Sequence, residues 1–255
     1  METTRVGEPN DRRIDLLPDH GDVLRELQSR SRLTAEDLLE AAPAADPALR
    51  EPLAPADAAE AHGISAVSAP PALVALETAL RRRKSVRAYD GEPVPVELLA
   101  SVVRQAADFD RSAWPDHEGG AGLEFLVAAR SVAGLPQGLY LHSADRGDFT
   151  PLAELPDGSA AADLVLQLEY ADAPAIVIVC GPLAASLDRH GEHGHRLLLT
   201  RAGAAAQTAW LAALSHGLSG SIFAGFLAAA LKPLVAVDGY RNVQLLAFSL
   251  GYEAR

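Results

Sequence analysis

The amino-acid sequence predicts an α+β fold with a mixed central sheet flanked by helices. From residue 72 onward, segments with helical periodicity alternate with short apolar runs typical of strands. The composition, 49% hydrophobic and 22% charged residues, is that of an ordinary globular protein. No phosphate-binding glycine loop of the P-loop or dinucleotide type lies between a predicted strand and a helix. Nucleotide-binding folds that depend on such loops are therefore not supported.

Residues 1–70 are predicted to form an N-terminal helical extension and linker, and residues 71–255 the main domain. The first part combines scattered prolines, many acidic residues and an alanine-proline tract over 51–71. Helical periodicity over 19–42, with a capping-type start at Thr34, predicts two short helices. So short a segment cannot enclose its own core. We expect it to lie on the main domain, to reach over a partner subunit, or to dock another protein.

The elements of the main domain follow from hydrophobic periodicity, chain punctuation and length. Helices are expected over 72–82, 95–108, 160–170 and 192–216. Strands are expected over 124–129, 137–142, 175–180, 220–224 and 243–250. The single cysteine, Cys180, lies inside the apolar run 175–180, so we expect it to be buried rather than to form a disulfide or bind metal.

The charge balance and the hydropathy pattern limit the classes of partner. A formal net charge of -12 and a pI near 5.1 argue against nucleic-acid binding, which depends on a basic face. No apolar stretch reaches the length of a membrane span, and no signal-peptide core follows Met1. We therefore expect a soluble, cytoplasmic protein. The histidines at 190, 193 and 195 lack a fourth ligand of recognisable spacing, so no metal site is predicted.

The densest positive cluster in this acidic chain spans residues 81–89, where a predicted helix gives way to extended chain. Such a cluster is a candidate anion site, because cationic side chains bind phosphate strongly. The alternative is a solvated basic helix end, which the helix dipole also favours. Charge alone does not separate these two interpretations.

The order of residue types in this cluster resembles the opening signature of nitroreductase-fold proteins: a basic pair, Ser, any residue, a basic residue, any residue, an aromatic. Residues 83–89, Arg-Lys-Ser-Val-Arg-Ala-Tyr, match it at each specified position. Later segments at 189–203, 211–218, 224–226 and 247–251 resemble the rest of the family in the expected order. The resemblance covers roughly residues 75–255.

Three stretches are similar, more narrowly, to the SagB-type azoline dehydrogenases of thiazole/oxazole-modified peptide pathways. Ser112-Ala113 resembles their Ser-Ala-Gly segment, and residues 191–196 resemble their G-x-R-G-Y-R stretch. The most distinctive is Gly-Leu-Pro-Gln-Gly-Leu-Tyr at 134–140, which resembles their G-L-P-x-G-x-Y hairpin. The resemblance implies a flavoprotein of ribosomal-peptide (RiPP) biosynthesis.

The resemblance further implies FMN as the cofactor. The residues that would bind its phosphate, ribityl chain and ring edge are Arg83, Lys84, Ser85 and Arg87, and Ser112 would lie near the flavin. Ala224 and Gly225 would present backbone N–H groups to the flavin ring, although Gly225 also suits a plain strand-to-helix turn. Related proteins carry basic phosphate contacts after the last strand, where this chain has only Arg255, so Arg81 and Arg82 are alternative phosphate ligands.

The implied reaction oxidises an azoline ring to an azole by loss of a proton from one carbon and of a hydride from its neighbour to flavin N5. The family's catalytic Lys-Tyr pair is replaced here by Arg189 and His190. Arginine stays protonated and cannot accept a proton, so the role of base falls to His190 before His193 or His195. A solvated polar turn is the alternative.

A long interface helix and a homodimer with FMN between its subunits are also implied. In the predicted helix over 192–216, small residues form a surface that permits close approach of another helix; they are Ala202, Gly203, Ala204, Ala205, Ala206, Ala209, Ala212 and Ala213. Packing of the same surface within the chain is the alternative.

Three functions remain open at this stage. The first is oxidation of azolines in a precursor peptide, with a cyclodehydratase as a further partner. The second is an NAD(P)H-dependent nitro- or quinone reductase, which shares the cofactor site. The third is a non-catalytic scaffold that binds peptide or cyclodehydratase, which the replaced Lys-Tyr pair would suit.

Overall fold

A computed structural model describes residues 20–33, 45–49, 53, 63–114, 122–155, 165, 168–224, 231–232, 234–235 and 237–254. Its helices are α1 (His20–Arg30), α2 (Leu76–Arg82), α3 (Val96–Ala113), α4 (Leu183–His190) and α5 (His193–Ser215). Its strands are β1 (Ile64–Ser65), β2 (Val94–Pro95), β3 (Glu124–Ala129), β4 (Val132–Ala133), β5 (Gly138–Ser143), β6 (Asp148–Ala153), β7 (Ala175–Gly181), β8 (Ser219–Phe223) and β9 (Val243–Gly251). None of the described helices is long and apolar enough to cross a membrane.

In the described part of the chain, seven strands form the main sheet in the order β1-β6-β5-β3-β7-β9-β8. The helices packed on this sheet confirm the predicted α+β class. Each neighbouring pair of strands is antiparallel, so the sheet is antiparallel rather than mixed as predicted. Antiparallel pairing follows from short connections, such as the turn between β5 and β6, that return the chain directly. The short strands β2 and β4 pair in parallel outside this sheet.

The centre of the sheet is buried on both faces. All seven residues of β7 are buried, which explains why its sequence is a continuous apolar run rather than an alternating one. On one face, α3 and α5 pack over residues that include Val127, Val177 and Phe248. The opposite face holds a second cluster that includes Ile178, Phe223 and Tyr170. Cys180 is fully buried there, and burial raises the pKa of its thiol.

A buried ion pair joins the two long helices. Arg201 of α5 is fully buried and donates Nε and Nη2 to the two carboxylate oxygens of Asp110 in α3, at 2.9 and 2.8 Å. This bidentate geometry satisfies both charges inside the core. The backbone N–H of Leu123 also donates to the Asp110 carboxylate, at 3.3 Å. The pair therefore fixes α3 against α5 near the carboxyl end of α3.

Most predicted elements are present, and the structure differs from the prediction at the following places. The helix expected over 160–170 falls largely outside the described residues, and Leu168–Tyr170 forms a 3-10 helix. Helix α4 and strand β6 were not predicted, because Pro182 and Pro151 interrupt the patterns on which such predictions depend. Of the two helices expected near the N-terminus, α1 is present, and the second lies outside the described residues. The sheet also includes β1, which pairs with β6 from within residues 1–70.

Candidate functional site

The basic segment that follows α2 runs beside the edge strand β8. The backbone N–H of Val86 donates to the Gly220 carbonyl at 3.1 Å, and Ser85 forms a parallel bridge with Gly220. The Ser221 hydroxyl donates to the Val86 carbonyl at 2.9 Å. The segment is therefore held by backbone pairing, as an extra stretch of strand would be.

Gly220 makes this close packing of chains feasible. A Cβ atom at this position would lie 1.9 Å from the Ser249 carbonyl oxygen on β9. No side chain fits in that space, so a residue with a Cβ would push β8 away from β9 and disturb the contact with Ser85. Glycine is required here by close approach of backbone rather than by an unusual φ angle.

Tyr89, the aromatic residue of the signature, anchors the far end of the segment. Its hydroxyl donates to Ser249 Oγ at 2.7 Å. Burial raises the pKa of Tyr89 to about 12, so the hydroxyl stays protonated and able to donate at neutral pH. The aromatic residue thus has a structural role, which is to fasten the basic segment to β9.

Three cations line a cavity of about 430 Å³ between α2, the end of α5 and the C-terminal tail. The lining residues are Arg81, Arg82, Lys84, Leu214, Gly217, Leu218, Ser219 and Glu253. Lys84 Nζ lies 2.7 Å from Glu253 Oε1, and Arg81 Nη2 lies 2.6 Å from Glu77 Oε1. Within the described part of the chain, Arg82 has no acidic partner. Residues 81, 82 and 84 thus concentrate positive charge on one concave surface.

The two other predicted arginines point away from this cavity. The Arg83 guanidinium lies over the Trp210 ring, 4.5 Å from its centroid, on the helical face of the sheet. Arg87 Nε donates to the Tyr170 hydroxyl at 3.3 Å, on the opposite face. Neighbours in sequence thus diverge, and only Lys84 of the four residues predicted here lines the cavity. Ser85 is exposed and contributes its backbone to the pairing with β8.

Ser112 lies at the other end of the α3–α5 pair. Its hydroxyl donates to the Phe109 carbonyl at 3.0 Å, one turn from the Asp110–Arg201 ion pair. Arg201 and Trp210 are nine residues apart in α5, which is about 13 Å along the helix axis. A single chain therefore does not bring Ser112 to the basic segment. Ala224 directly follows β8. The two other predicted cofactor contacts in this part of the sequence, Gly225 and Arg255, lie outside the described residues.

Arg189 and His190 end α4 and are partly buried. The following turn leads into α5, where the N–H at His193 Nδ1 donates to the Ser31 carbonyl at 3.3 Å and thereby fastens α1. His195 lines a second cavity, of about 450 Å³, between α1 and α4. From His193 to Trp210 the helix axis runs about 25 Å. The predicted base and the basic segment therefore lie at opposite ends of α5 within one chain.

The cationic cavity suits the phosphate and polar chain of FMN. Arg82 and Lys84 supply charge, and the small residues Gly217 and Ser219 leave space beside them. The sequence predicted the basic run, but it did not indicate that the end of α5 and Glu253 would share the cavity. No periodic pattern or motif relates residues 214–219 to the basic run, because their proximity arises only when the chain folds.

The sequence profile of the nitroreductase family matches residues 80–252. No curated protein sequence matches the chain significantly. A protein from Anabaena variabilis assigned as a nitroreductase has a TM-score of 0.63 at 22% identity, over 76% of this chain and 42% of its own. A Ralstonia eutropha protein with the same assignment has a TM-score of 0.57 at 20% identity, over 80% of this chain and 100% of its own.

A chain of the E. coli microcin synthetase McbBCD complex, with truncated pro-MccB17 bound, has a TM-score of 0.56 at 14% identity. The match covers 91% of this chain and 98% of that one. At these identities the three structures establish a shared fold. Together with the profile match, which covers most of the chain, they show that this protein belongs to the nitroreductase family.

Proposed function

We propose that this protein is an FMN-dependent dehydrogenase that oxidises azoline rings in a ribosomally made precursor peptide. The observation that carries the proposal is the extent of the match to the microcin synthetase chain. The match covers 91% of this chain, whereas the matches to the Anabaena and Ralstonia proteins cover 76% and 80%. This greater extent supports a function shared with a peptide-modifying complex over that of a reductase.

The cationic cavity would hold the phosphate of FMN. Arg82, which has no acidic partner among the described residues, and Lys84 would neutralise its charge, and Arg81 would add to the local potential. The pairing of Ser85 with Gly220 would keep the adjacent backbone fixed while the ligand binds. Bound FMN would supply the hydride acceptor that the amino acids themselves lack.

His190 is the proposed base on the substrate side. Removal of a ring proton needs a side chain that can accept a proton, and imidazole can do so whereas the guanidinium of the neighbouring Arg189 cannot. In one chain His190 lies far from the cationic cavity, at the other end of α5. A site that uses both groups must therefore draw on two chains.

A homodimer related by a two-fold axis across α5 would meet this requirement. The axis would place the first half of one α5 beside the second half of the other, because a two-fold contact is self-complementary. Gly203 and Ala204, at the middle of α5, are only partly buried and would permit close crossing of the two helices. The homodimer is thus part of the proposal.

A second candidate is a reductase that takes electrons from NAD(P)H. It is favoured by the family to which the chain belongs and by the nitroreductase assignment of the Anabaena and Ralstonia proteins. Both candidates use the same cofactor site. They differ in which substrate reduces the flavin.

The visible absorption spectrum after incubation with FMN is the first test, since bound oxidised flavin is yellow. Anaerobic addition of an azoline-containing peptide should then bleach the flavin, and mass spectrometry should show loss of two hydrogen atoms per ring. Bleaching by NAD(P)H but not by the peptide would support the reductase instead. Protein that stays colourless in excess FMN would contradict both enzymes and support a peptide- or cyclodehydratase-binding scaffold.

The role of His190 is tested by His190→Gln, which keeps polarity but removes the base. We expect the rate of azoline oxidation to fall about 10²- to 10⁴-fold, the usual contribution of a general base, with the flavin spectrum unchanged. His195→Gln is the matched control, because His195 lines the cavity between α1 and α4 and is not the proposed base. It should keep most of the activity, and a larger loss in His195→Gln than in His190→Gln would assign the role of base to His195 instead. Equal losses in the two variants would assign the effect to the fold around α4.

A further inference from the structure

A carboxylate lies inside the cationic cavity. Glu253, in the tail after β9, contributes its side chain to a surface otherwise charged by Arg81, Arg82 and Lys84. Its Oε1 atom is 2.7 Å from Lys84 Nζ. In the absence of any other anion, the protein itself thus supplies a counter-ion to one of the cations in the proposed phosphate site.

The backbone around Glu253 is fixed, so only its side chain can leave the cavity. The N–H of Ala254 donates to the Ala88 carbonyl, and the N–H of Asp90 donates to the Tyr252 carbonyl, both at 3.1 Å. Glu253 thereby forms an antiparallel bridge with Tyr89. The side chains of Glu253 and Lys84 are 39% and 66% exposed, and ion pairs of such exposure are weak. A rotation of the Glu253 side chain would release Lys84 at small cost.

We propose that Glu253 is an internal competitor for the phosphate site, displaced from Lys84 when a phosphate monoester binds. This proposal rests on the proposed function, since it concerns the same cavity. Arg82 is open to the incoming anion, and Lys84 exchanges its carboxylate for the phosphate. A phosphate group near neutral pH carries up to two charges and outcompetes one carboxylate. A neutral flavin such as riboflavin has no phosphate that competes for Lys84, so Glu253 weakens the binding of phosphate esters and leaves the binding of neutral flavins unchanged.

Removal of the competing charge should tighten phosphate binding. With Glu253→Gln, Lys84 is free before the ligand arrives, and the repulsion between carboxylate and phosphate is lost. For charges at this distance near a protein surface we expect FMN to bind about three- to tenfold more tightly. Riboflavin affinity should stay the same. In a Lys84→Gln background, which removes the cation for which the two anions compete, the gain from Glu253→Gln should shrink.

Equilibrium titrations with FMN, riboflavin and inorganic phosphate test the proposal on wild-type protein, Glu253→Gln and Glu92→Gln. Glu92→Gln is the matched control, because it changes net charge equally outside the cavity. Circular dichroism checks folding, and Glu253→Ala serves as a second variant. Tighter FMN binding in the Glu253 variants alone is the expected result. Unchanged FMN affinity, or an equal gain for riboflavin, would overturn the proposal.

The probes also separate this proposal from the proposed function. If wild-type protein does not bind FMN, the proposed function fails, and inorganic phosphate decides the role of Glu253. Tighter phosphate binding by Glu253→Gln than by Glu92→Gln would then support the competitor. Equal phosphate affinity, or phosphate binding in neither protein, would contradict it.

Discussion

His142 on β5 is an ionisable side chain inside the core. It is 5% exposed, and neither ring nitrogen has a hydrogen-bond partner in the described part of the chain. Its ring packs against Phe149 of β6, with centroids 5.0 Å apart. The pKa of His142 is lowered to about 4, chiefly by burial and also by the positive charge of Arg104 on α3, while Asp148 on β6 opposes these effects. The neutral imidazole is therefore the native form.

This shift in pKa predicts a loss of stability in acid. The unfolded chain binds a proton at His142 with a pKa near 6.5, whereas the folded chain does so only near 4. As pH falls from about 7 to 4, the unfolded state gains protons first, so the free energy of unfolding falls by up to about 3 kcal/mol from this residue. His142→Leu should remove that part of the pH dependence.

Urea unfolding at pH 7 and pH 4.5 measures the difference. Phe149→Leu is the matched control, because it perturbs the same packing without a titrating group. Phe149→Leu should lower the free energy of unfolding by similar amounts at both pH values, so its dependence on pH should match that of the wild-type protein. Parallel pH profiles for wild-type protein and His142→Leu would show that His142 does not carry the effect.

The basic segment shows what single residues reveal in advance. The sequence indicated a candidate anion site at residues 81–89 and left a solvated helix end as the alternative; residues 81, 82 and 84 line one cavity. It did not predict that Arg83 would lie over Trp210 and Arg87 beside Tyr170. Side-chain direction in an extended segment depends on the elements on each side of it, and these come from distant parts of the chain.

At the scale of elements, α5 has two surfaces of small residues. Ala202, Ala205, Ala206, Ala209, Ala212 and Ala213 are buried in the core that α5 shares with α3 and the sheet. Packing within the chain thus accounts for six of the eight small residues noted in the sequence. Gly203 and Ala204 lie on the outer surface, and among the described residues a Cβ at Gly203 would meet no atom beyond the adjacent backbone of its own helix within 4 Å. Composition alone could not assign the small residues to these two surfaces.

Gly203→Arg tests whether the outer surface of α5 is a subunit interface. A large side chain at the middle of the helix should block the crossing of two α5 helices and give a monomer. Within the monomer the change should stabilise α5 by about 0.8 kcal/mol, because glycine is a poor helix former. Sedimentation velocity and urea unfolding would measure the two effects.

Gly203→Ala is the matched variant for this test. It improves helix propensity as well, but its single methyl group should leave room for the partner helix. A Gly203→Arg protein that remains dimeric would place the interface elsewhere on the molecule. A monomeric wild-type protein would contradict the dimer directly.

Burial accounts for the prediction of the central strands. The strands β3 and β7 were predicted because they lie near the centre of the sheet and are apolar on both faces. Strand β6 lies nearer the edge and contains Pro151, so its pattern is weaker. The hairpin motif at 134–140 is explained by packing: Tyr140 donates its hydroxyl to the Pro136 carbonyl at 2.7 Å. This hairpin lies far from the basic segment that pairs with β8, because β5 and β8 are four strand spacings apart in the sheet, about 19 Å.

At the scale of the whole molecule, the proposed groups divide between the two ends of one helix. The cationic cavity lies at the carboxyl end of α5 and His190 just before its amino end. The sequence could not show this division, because spacing along the chain does not reveal where a two-fold axis would cross. If both groups serve one site, cofactor binding and dimerisation must be thermodynamically linked.

This linkage predicts that FMN binding depends on protein concentration. FMN at 100 times its dissociation constant should stabilise the folded dimer by about 2.7 kcal/mol. The corresponding rise in Tm should shrink on dilution, because the dimer dissociates and half of each site is lost. Differential scanning fluorimetry over a hundredfold range of protein concentration, with FMN in constant excess, would measure it. Gly203→Arg should show little stabilisation at any concentration. A rise in Tm that stays constant on dilution, and persists in that variant, would mean that one chain holds the cofactor alone.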